Sequence, residues 1–152
     1  LRKRASLSSS SLSIVSELKS GSAWYVPGGC STIGRLFNDA CGRYAFAEDK
    51  HSGSIPLAFE TVFDKAGDAD VWTIKYNRDR DMTYSDLKAD YIGYTGFKAF
   101  KTRNIYGCNT AKVPFYEETP FRPDYLLADL IQILHPEIGD LGGLRYFCKL
   151  NE

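Results

Sequence analysis

Two histidines, four cysteines and the adjacent Gly28 and Gly29 are the residues whose types could do chemistry or hold a ligand. His51 sits in the Ser/Gly loop "KHSGS", and His135 ends the apolar segment "LLADLIQILH". Neither stands at a spacing that marks a catalytic triad, and "GCSTIG" is not the strained G-x-S-x-G elbow of a nucleophilic serine. Cys30, Cys41, Cys108 and Cys148 make no C-x-x-C or C-x-H pair, so their spacing predicts no zinc site. They suit disulfides in an exported protein or buried thiols equally well. Cys30 stands at the predicted start of a helix, a place where reactive thiols are found, and a Cys30 nucleophile working with His51 is one enzymatic reading. The acidic pairs of "DRDM" and "GDADVW" read as solvated loops and caps.

The richest arrangement is "SAWYVPGGCSTIGRLFNDACG", residues 22–42. Gly28 and Gly29 lack Cβ atoms, so the backbone there can come close to a ligand. The following helix, starting at Ser31 or Thr32, offers free N–H groups and the positive end of its dipole. Trp24 and Tyr25 offer flat surfaces beside it. An anionic, partly aromatic ligand would suit this corner. A plain capped strand–turn–helix corner, with its aromatics in the core, accounts for the same residues. It is not a phosphate-binding P-loop, because G-x-x-x-x-G-K-[ST] is absent. Glu60 is the second point of interest. On the first turns of a predicted helix it is an ordinary dipole-favoured carboxylate or a docking charge at a protein surface.

The elements that must position these groups follow from apolar spacing. "LSIVSEL" and "AWYVP" predict strands, the second closed by Pro27. Ile33, Leu36, Phe37 and Ala40 fall on one helical face, with Gly42 as the left-handed stop. "RYAFAED" predicts a strand, and "IPLAFETVFDKAG" a helix with Pro56 near its first turn and Gly67 at its end. "ADVWTIKY" is nearly continuous in apolar residues, as in a strand covered on both faces. A short helical piece in "NRDRDMTYSDLKADY", a helical turn and the strand "NIYGC" come next. The last helix, "RPDYLLADLIQILHPE", has Pro123 near its start, a stripe of Leu126, Leu127, Leu130, Ile131 and Leu134, and Pro136 as its stop. Strands alternate with helices, which predicts an α/β, three-layer Rossmann-like fold with a central, mostly parallel sheet flanked by helices.

The 152 residues suffice for one domain with a real core. Nineteen basic and nineteen acidic residues cancel, and no charge run marks a nucleic-acid groove. No apolar run approaches the roughly 20 residues that cross a bilayer. Ten Tyr and nine Phe are many, which fits core filling or contact with a flat ligand. The chain opens at Leu1 with "LRKRASLSSSSLS", which reads as a polar linker at the start of a fragment or processed form.

Taken together, "WYVPGG", the capped helix after it, "SGSIPLAFETVFDKAGDADVWTIKY", "NIYGCN" and "RPDYLLADLIQILHPE" resemble the C-terminal half of periplasmic substrate-binding proteins. The family is the helical-backbone class serving ABC importers of iron complexes and cobalamin. The resemblance runs from about Ile14 to Glu137, and "LLADLIQILHPE" is especially similar to Bacteroidetes members. It implies two α/β lobes joined by a rigid helix, with haem, a ferric siderophore or cobalamin held between them. Residues 1–11 would be a linker or the tail of the interlobe helix, and residues 12–152 the C-terminal lobe. It further implies an exported, periplasmic and often lipid-anchored protein, whose signal and opposite lobe would precede Leu1. Trp24, Tyr25, Gly28, Gly29, Cys30 and Ser31 would contact the ligand, joined by Tyr76 and Asn77 at the end of "VWTIKYN". Glu60 would pair with arginines of the membrane permease. No catalytic residue, cofactor or metal ligand is implied, since ATP hydrolysis belongs to other subunits. Cys30 departs from the pattern, where a Tyr or another polar residue would be less surprising. A binding or signalling module without transport is a further alternative.

Overall fold

The computed structural model describes residue 5, residues 11–138 and residues 141–152. Apart from Ala5 and Ser11, the expected linker 1–11 lies outside the described residues. In chain order the elements are β1 (Ser13–Ser16), β2 (Lys19–Ser20), β3 (Ala23–Pro27), α1 (Thr32–Asp39), β4 (Arg43–Tyr44), β5 (Ser54–Leu57), α2 (Phe59–Ala66) and β6 (Val71–Tyr76). There follow α3 (Tyr84–Asp90), a 3-10 turn (Ile92–Gly96), α4 (Lys98–Lys101), β7 (Ile105–Asn109), α5 (Phe115–Glu118), α6 (Pro123–Leu134), a second 3-10 turn (Pro136–Ile138) and β8 (Cys148–Lys149).

The central sheet has the order β4-β1-β6-β7-β8. Its first four strands are parallel and β8 adds an antiparallel edge. A smaller antiparallel sheet, β2-β3-β5, carries the segment with the two glycines. Strand β6 lies between β1 and β7 and is buried along its first four residues, as its nearly unbroken apolar run predicts. Its side chains alternate between faces. Trp72 faces an aromatic layer, stacked on Phe97 with ring centroids 4.9 Å apart and on Trp24 at 5.7 Å. Thr73 and Lys75 face the other way, toward Ile33 and Phe37 of α1 and Leu126 and Leu130 of α6. The result is the α/β layered architecture expected, with the smaller sheet as an addition.

Four local expectations are corrected. "IPL" is not the first turn of a helix: Ser54–Leu57 pairs with β3, Pro56 opposite Tyr25, and α2 begins only at Phe59. Because β5 is the outer strand of its sheet, a proline without an N–H is tolerated there. The strand expected over "RYAFAED" stops at Tyr44, after which turns begin with Ala47 N donating to Tyr44 O. The left-handed stop of α1 is Cys41 (φ 57°) rather than Gly42, which is small because Leu134 presses on it. On α6 the buried face also includes Asp129, which the apolar stripe does not announce. Its carboxylate accepts from the backbone N–H groups of Arg145, Tyr146 and Phe147 at 2.8–3.1 Å, tying the C-terminal segment to the helix. Burial pushes this carboxyl above its ordinary pKa, against the lowering effect of the three amides.

Candidate ligand cleft at the carboxyl ends of the strands

From β1 the chain crosses to β4 on one side, and later to β6 on the other. The carboxyl ends of β1 and β6 therefore form a topological switch point, the place where open α/β sheets hold their ligands. A cleft of about 330 Å³ lies there. Glu17 and Lys75 form its floor, Tyr25 and Pro27 one side, and Ser31 and Thr32 at the start of α1 another. Ile33, shared with a narrow apolar pocket against Phe115 and Phe147, continues it inward.

Glu17 follows β1 in the left-handed region, at φ 75°. Non-glycine residues stay there only when surrounding bonds over-determine them. Those bonds are present. Glu17 N donates to Thr73 O at 2.9 Å, and the Trp72 indole donates to Glu17 O at 2.9 Å. The Trp24 indole donates to the preceding carbonyl, Ser16 O, at 3.0 Å. The turn aims the Glu17 carboxylate at Lys75, with Nζ 3.1 Å from Oε1. The Ser16 hydroxyl, buried beside it, donates to the same oxygen at 3.3 Å. Lys75 also lies over the rings of Phe115 (5.1 Å) and Tyr116 (5.9 Å).

Of the residues nominated from sequence, Tyr25 and Ser31 line this cleft. Tyr25 is half exposed. Ser31 caps α1, its Oγ accepting from Gly34 N at 3.0 Å and donating to Gly28 O at 2.6 Å. Trp24 is corrected: it is fully buried, points to the opposite face of β3 from Tyr25, and cannot form a wall. Gly28 and Gly29 do not appear among the residues lining this cleft. On the side where a Cβ would stand, the chain's own backbone comes close: a Cβ would collide with the carbonyls of His51 and Gly53 at Gly28 and with those of Ala47 and Asp49 at Gly29. Tyr44 fastens the same corner, its hydroxyl donating to Pro27 O at 2.5 Å, and burial raises that phenol's pKa.

Cys30 is exposed at the rim, and its bond to His51 joins backbone N to backbone O at 3.1 Å. The His51 ring instead meets the Asp49 carboxylate at 3.0 Å, and the His51 amide holds that carboxyl below its usual pKa. The Cys30–His51 side-chain pair needed for a nucleophile is thus not formed. Tyr76 is turned from the cleft by strand alternation: its hydroxyl accepts from Met82 N at 3.0 Å and its ring covers Gly107. Asn77 is exposed just beyond β6. Glu60 is exposed in the first turn of α2 and makes no ion pair with a described residue. All four cysteines are free thiols, and burial pushes that of Cys108 up to about 12.

Glu17 and Lys75 escaped the sequence reading because each follows or ends a strand as an ordinary charged residue. The usable signal was their position at the carboxyl ends of the two strands expected in "LSIVSEL" and "ADVWTIKY". Among the described residues no three of His, Cys, Asp and Glu come together as a metal site, and no helix is long and apolar enough to cross a membrane.

Residues 2–111 match the profile of a family described as periplasmic binding protein. An uncharacterized lipoprotein of Methanocaldococcus jannaschii is 31% identical over 128 residues, which are 84% of this chain and 30% of that protein. Among solved structures, a TroA-like periplasmic binding protein FepB from Veillonella parvula superposes with a TM-score of 0.69 at 14% identity, covering 99% of this chain and 52% of that one. An ABC transporter substrate-binding protein from Listeria monocytogenes gives 0.63 at 13% identity, covering 90% and 52%. An ABC-type Fe3+-hydroxamate transport system protein from Saccharomonospora viridis gives 0.53 at 15%, covering 68% and 34%. The chain thus spans about half or less of the length of these relatives. With a match over most of its length and a parallel sheet that opens a cleft at its switch point, the chain belongs to the periplasmic binding protein family.

Proposed function

We propose that this chain is one lobe, the C-terminal one, of a two-lobe substrate-binding protein of an ABC importer, and that it binds rather than transforms its ligand. The observation that carries the reading is the cleft at the carboxyl ends of the neighbouring strands β1 and β6, with an exposed Tyr25 on its side and a charged floor. The ligand class is an iron complex, haem or a ferric siderophore, with cobalamin as the related tetrapyrrole. The Fe3+-hydroxamate transport protein among the similar structures supports the iron reading. The lipoprotein relative supports an exported, periplasmic or lipid-anchored location, with the permease as macromolecular partner. Half of a two-lobe site presents half of the contact surface, so the lobe alone should bind weakly.

Titration of the full-length protein with haemin, cobalamin and a ferric siderophore, followed by tryptophan emission, tests this. Trp24 and Trp72 bond to the cleft floor and report on it. Saturable quenching by one of the three is expected, weakened roughly tenfold by Tyr25→Ala, as for an aromatic anchor at a binding surface. Absence of saturable binding to all three would sink the reading.

A further inference from the structure

The floor of the cleft carries a cation that is already paired. We propose that Lys75 selects anionic ligands and that Glu17 is its built-in competitor, a carboxylate that an incoming ligand anion must displace. The inference rests on the binding reading above and narrows its ligand to complexes carrying negative charge.

Three observations meet at this pair. First, the two side chains are only 19% and 22% exposed, so Lys75 is largely removed from water and its charge needs a partner in every state. Exchange of Glu17 for a ligand anion preserves that pairing, whereas a neutral ligand gains nothing from Lys75. Second, Glu17 reaches Lys75 from a left-handed backbone, which costs strain and is held by two buried indoles on consecutive carbonyls. Trp24 and Trp72 are therefore positioning residues: stacked on each other, they set the turn that aims the carboxylate. Third, the ammonium faces the same cleft as the first turn of α1, so the helix dipole adds to the attraction for negative charge. Lys75 also lies over Phe115 and Tyr116, leaving it sheltered when Glu17 swings out. No bond is made or broken in the exchange; one ion pair replaces another.

The test uses full-length protein, wild type and the variants Lys75→Met, Lys75→Arg and Glu17→Gln. Inorganic sulfate is titrated first, read by the indole N–H resonances of Trp24 and Trp72. Glu17→Gln is expected to tighten sulfate binding about five- to tenfold, Lys75→Met to abolish it, and Lys75→Arg to keep it within about threefold, as close charge pairs dictate. The rescue by arginine separates a charge role from a folding defect. An anionic ferric tricatecholate and a neutral ferric trihydroxamate are then compared. Lys75→Met should weaken the anionic complex about tenfold or more and leave the neutral one within about twofold. Weaker sulfate binding in Glu17→Gln, or equal losses for both complexes in Lys75→Met, overturns the proposal. If neither iron complex binds wild type while the sulfate pattern holds, the iron-complex reading fails and the charge gate stands. If the complexes bind but the sulfate pattern fails, the gate falls and the binding reading stands.

Discussion

Gly29 has no room for a side chain, because the carbonyls of Ala47 and Asp49 occupy the space where a Cβ would sit. The obstacle is backbone, which cannot rotate away as a side-chain tip can. Gly29→Ala is therefore expected to cost about 1–3 kcal/mol, typical of overpacking. Gly53, in the same corner, has nothing within 4 Å of its would-be Cβ, so Gly53→Ala should stay within about 0.5 kcal/mol. Urea unfolding of the two variants side by side checks this; equal losses would show that the corner does not depend on close backbone approach at Gly29. The pair also shows what composition conceals. A glycine announces that some group comes near, but not whether that group is a ligand or the chain's own loop. Trp24 carries the same ambiguity, since an indole suits a ligand wall and a core equally, and its alternation against exposed Tyr25 decided only once β3 had a sheet to lie in.

Elements with long, consistent apolar patterns were legible: β6, β7, α1 and α6 stand where their spacing predicts. What could not be read was pairing. Ser54–Leu57 looks like the front of a helix until β3 supplies a partner, and the two-residue strands β2, β4 and β8 have no pattern of their own. Two carboxylates hold elements in ways no periodicity shows. Asp129→Ala strips the acceptor from three amides of the C-terminal segment and should cost about 1–3 kcal/mol, the penalty for unsatisfied buried donors. Hydrogen exchange should show Arg145, Tyr146 and Phe147 losing protection before β6 does; unchanged protection there would remove the tie. At the opposite end, Asp70 joins the starts of β1 and β6. Its carboxylate accepts from Ser13 N at 3.0 Å and meets Lys98 at 2.5 Å. Burial raises its pKa, but the Lys98 and Ser13 donors together outweigh burial and hold it below the ordinary value. A folded-state value below the unfolded one means that the stabilisation is fully present above about pH 4 and is lost as pH falls through the folded value. Asp70→Asn should therefore flatten the acid side of the stability profile, measured by urea midpoints from pH 6 down to pH 2. A profile as steep as wild type would assign the acid transition to other groups.

Across the whole molecule, opposite charges cancel and a number of surface ions are locally paired: Arg80 with Asp86, Arg145 with Glu118, Arg122 with Asp124. Several exposed carboxylates, Glu48, Asp64 and Glu117 among them, make no ion pair with a described residue. Glu60 is such a residue, on the first turn of α2, where the helix dipole stabilises it without engaging its oxygens. The order of motifs along the chain made the family legible, but a docking role cannot be read from one helix glutamate. No described ionic partner depends on the charge, so its removal should leave folding intact at the loss of a helix-dipole contribution on the order of 0.5 kcal/mol. At a protein surface such a charge acts on encounter rate and orientation more than on the partner's ligand. Glu60→Ala in the full-length protein is therefore expected to lower association with permease vesicles by about three- to tenfold, and Glu60→Lys by more, because attraction becomes repulsion toward arginines. Ligand affinity should stay within about twofold in both variants, since Glu60 does not line the cleft. Association of the wild type should weaken as salt rises from 50 to 500 mM, and that of Glu60→Ala should weaken less. Equal association of all three proteins at low salt would remove Glu60 from the docking surface, whatever the cleft is found to bind.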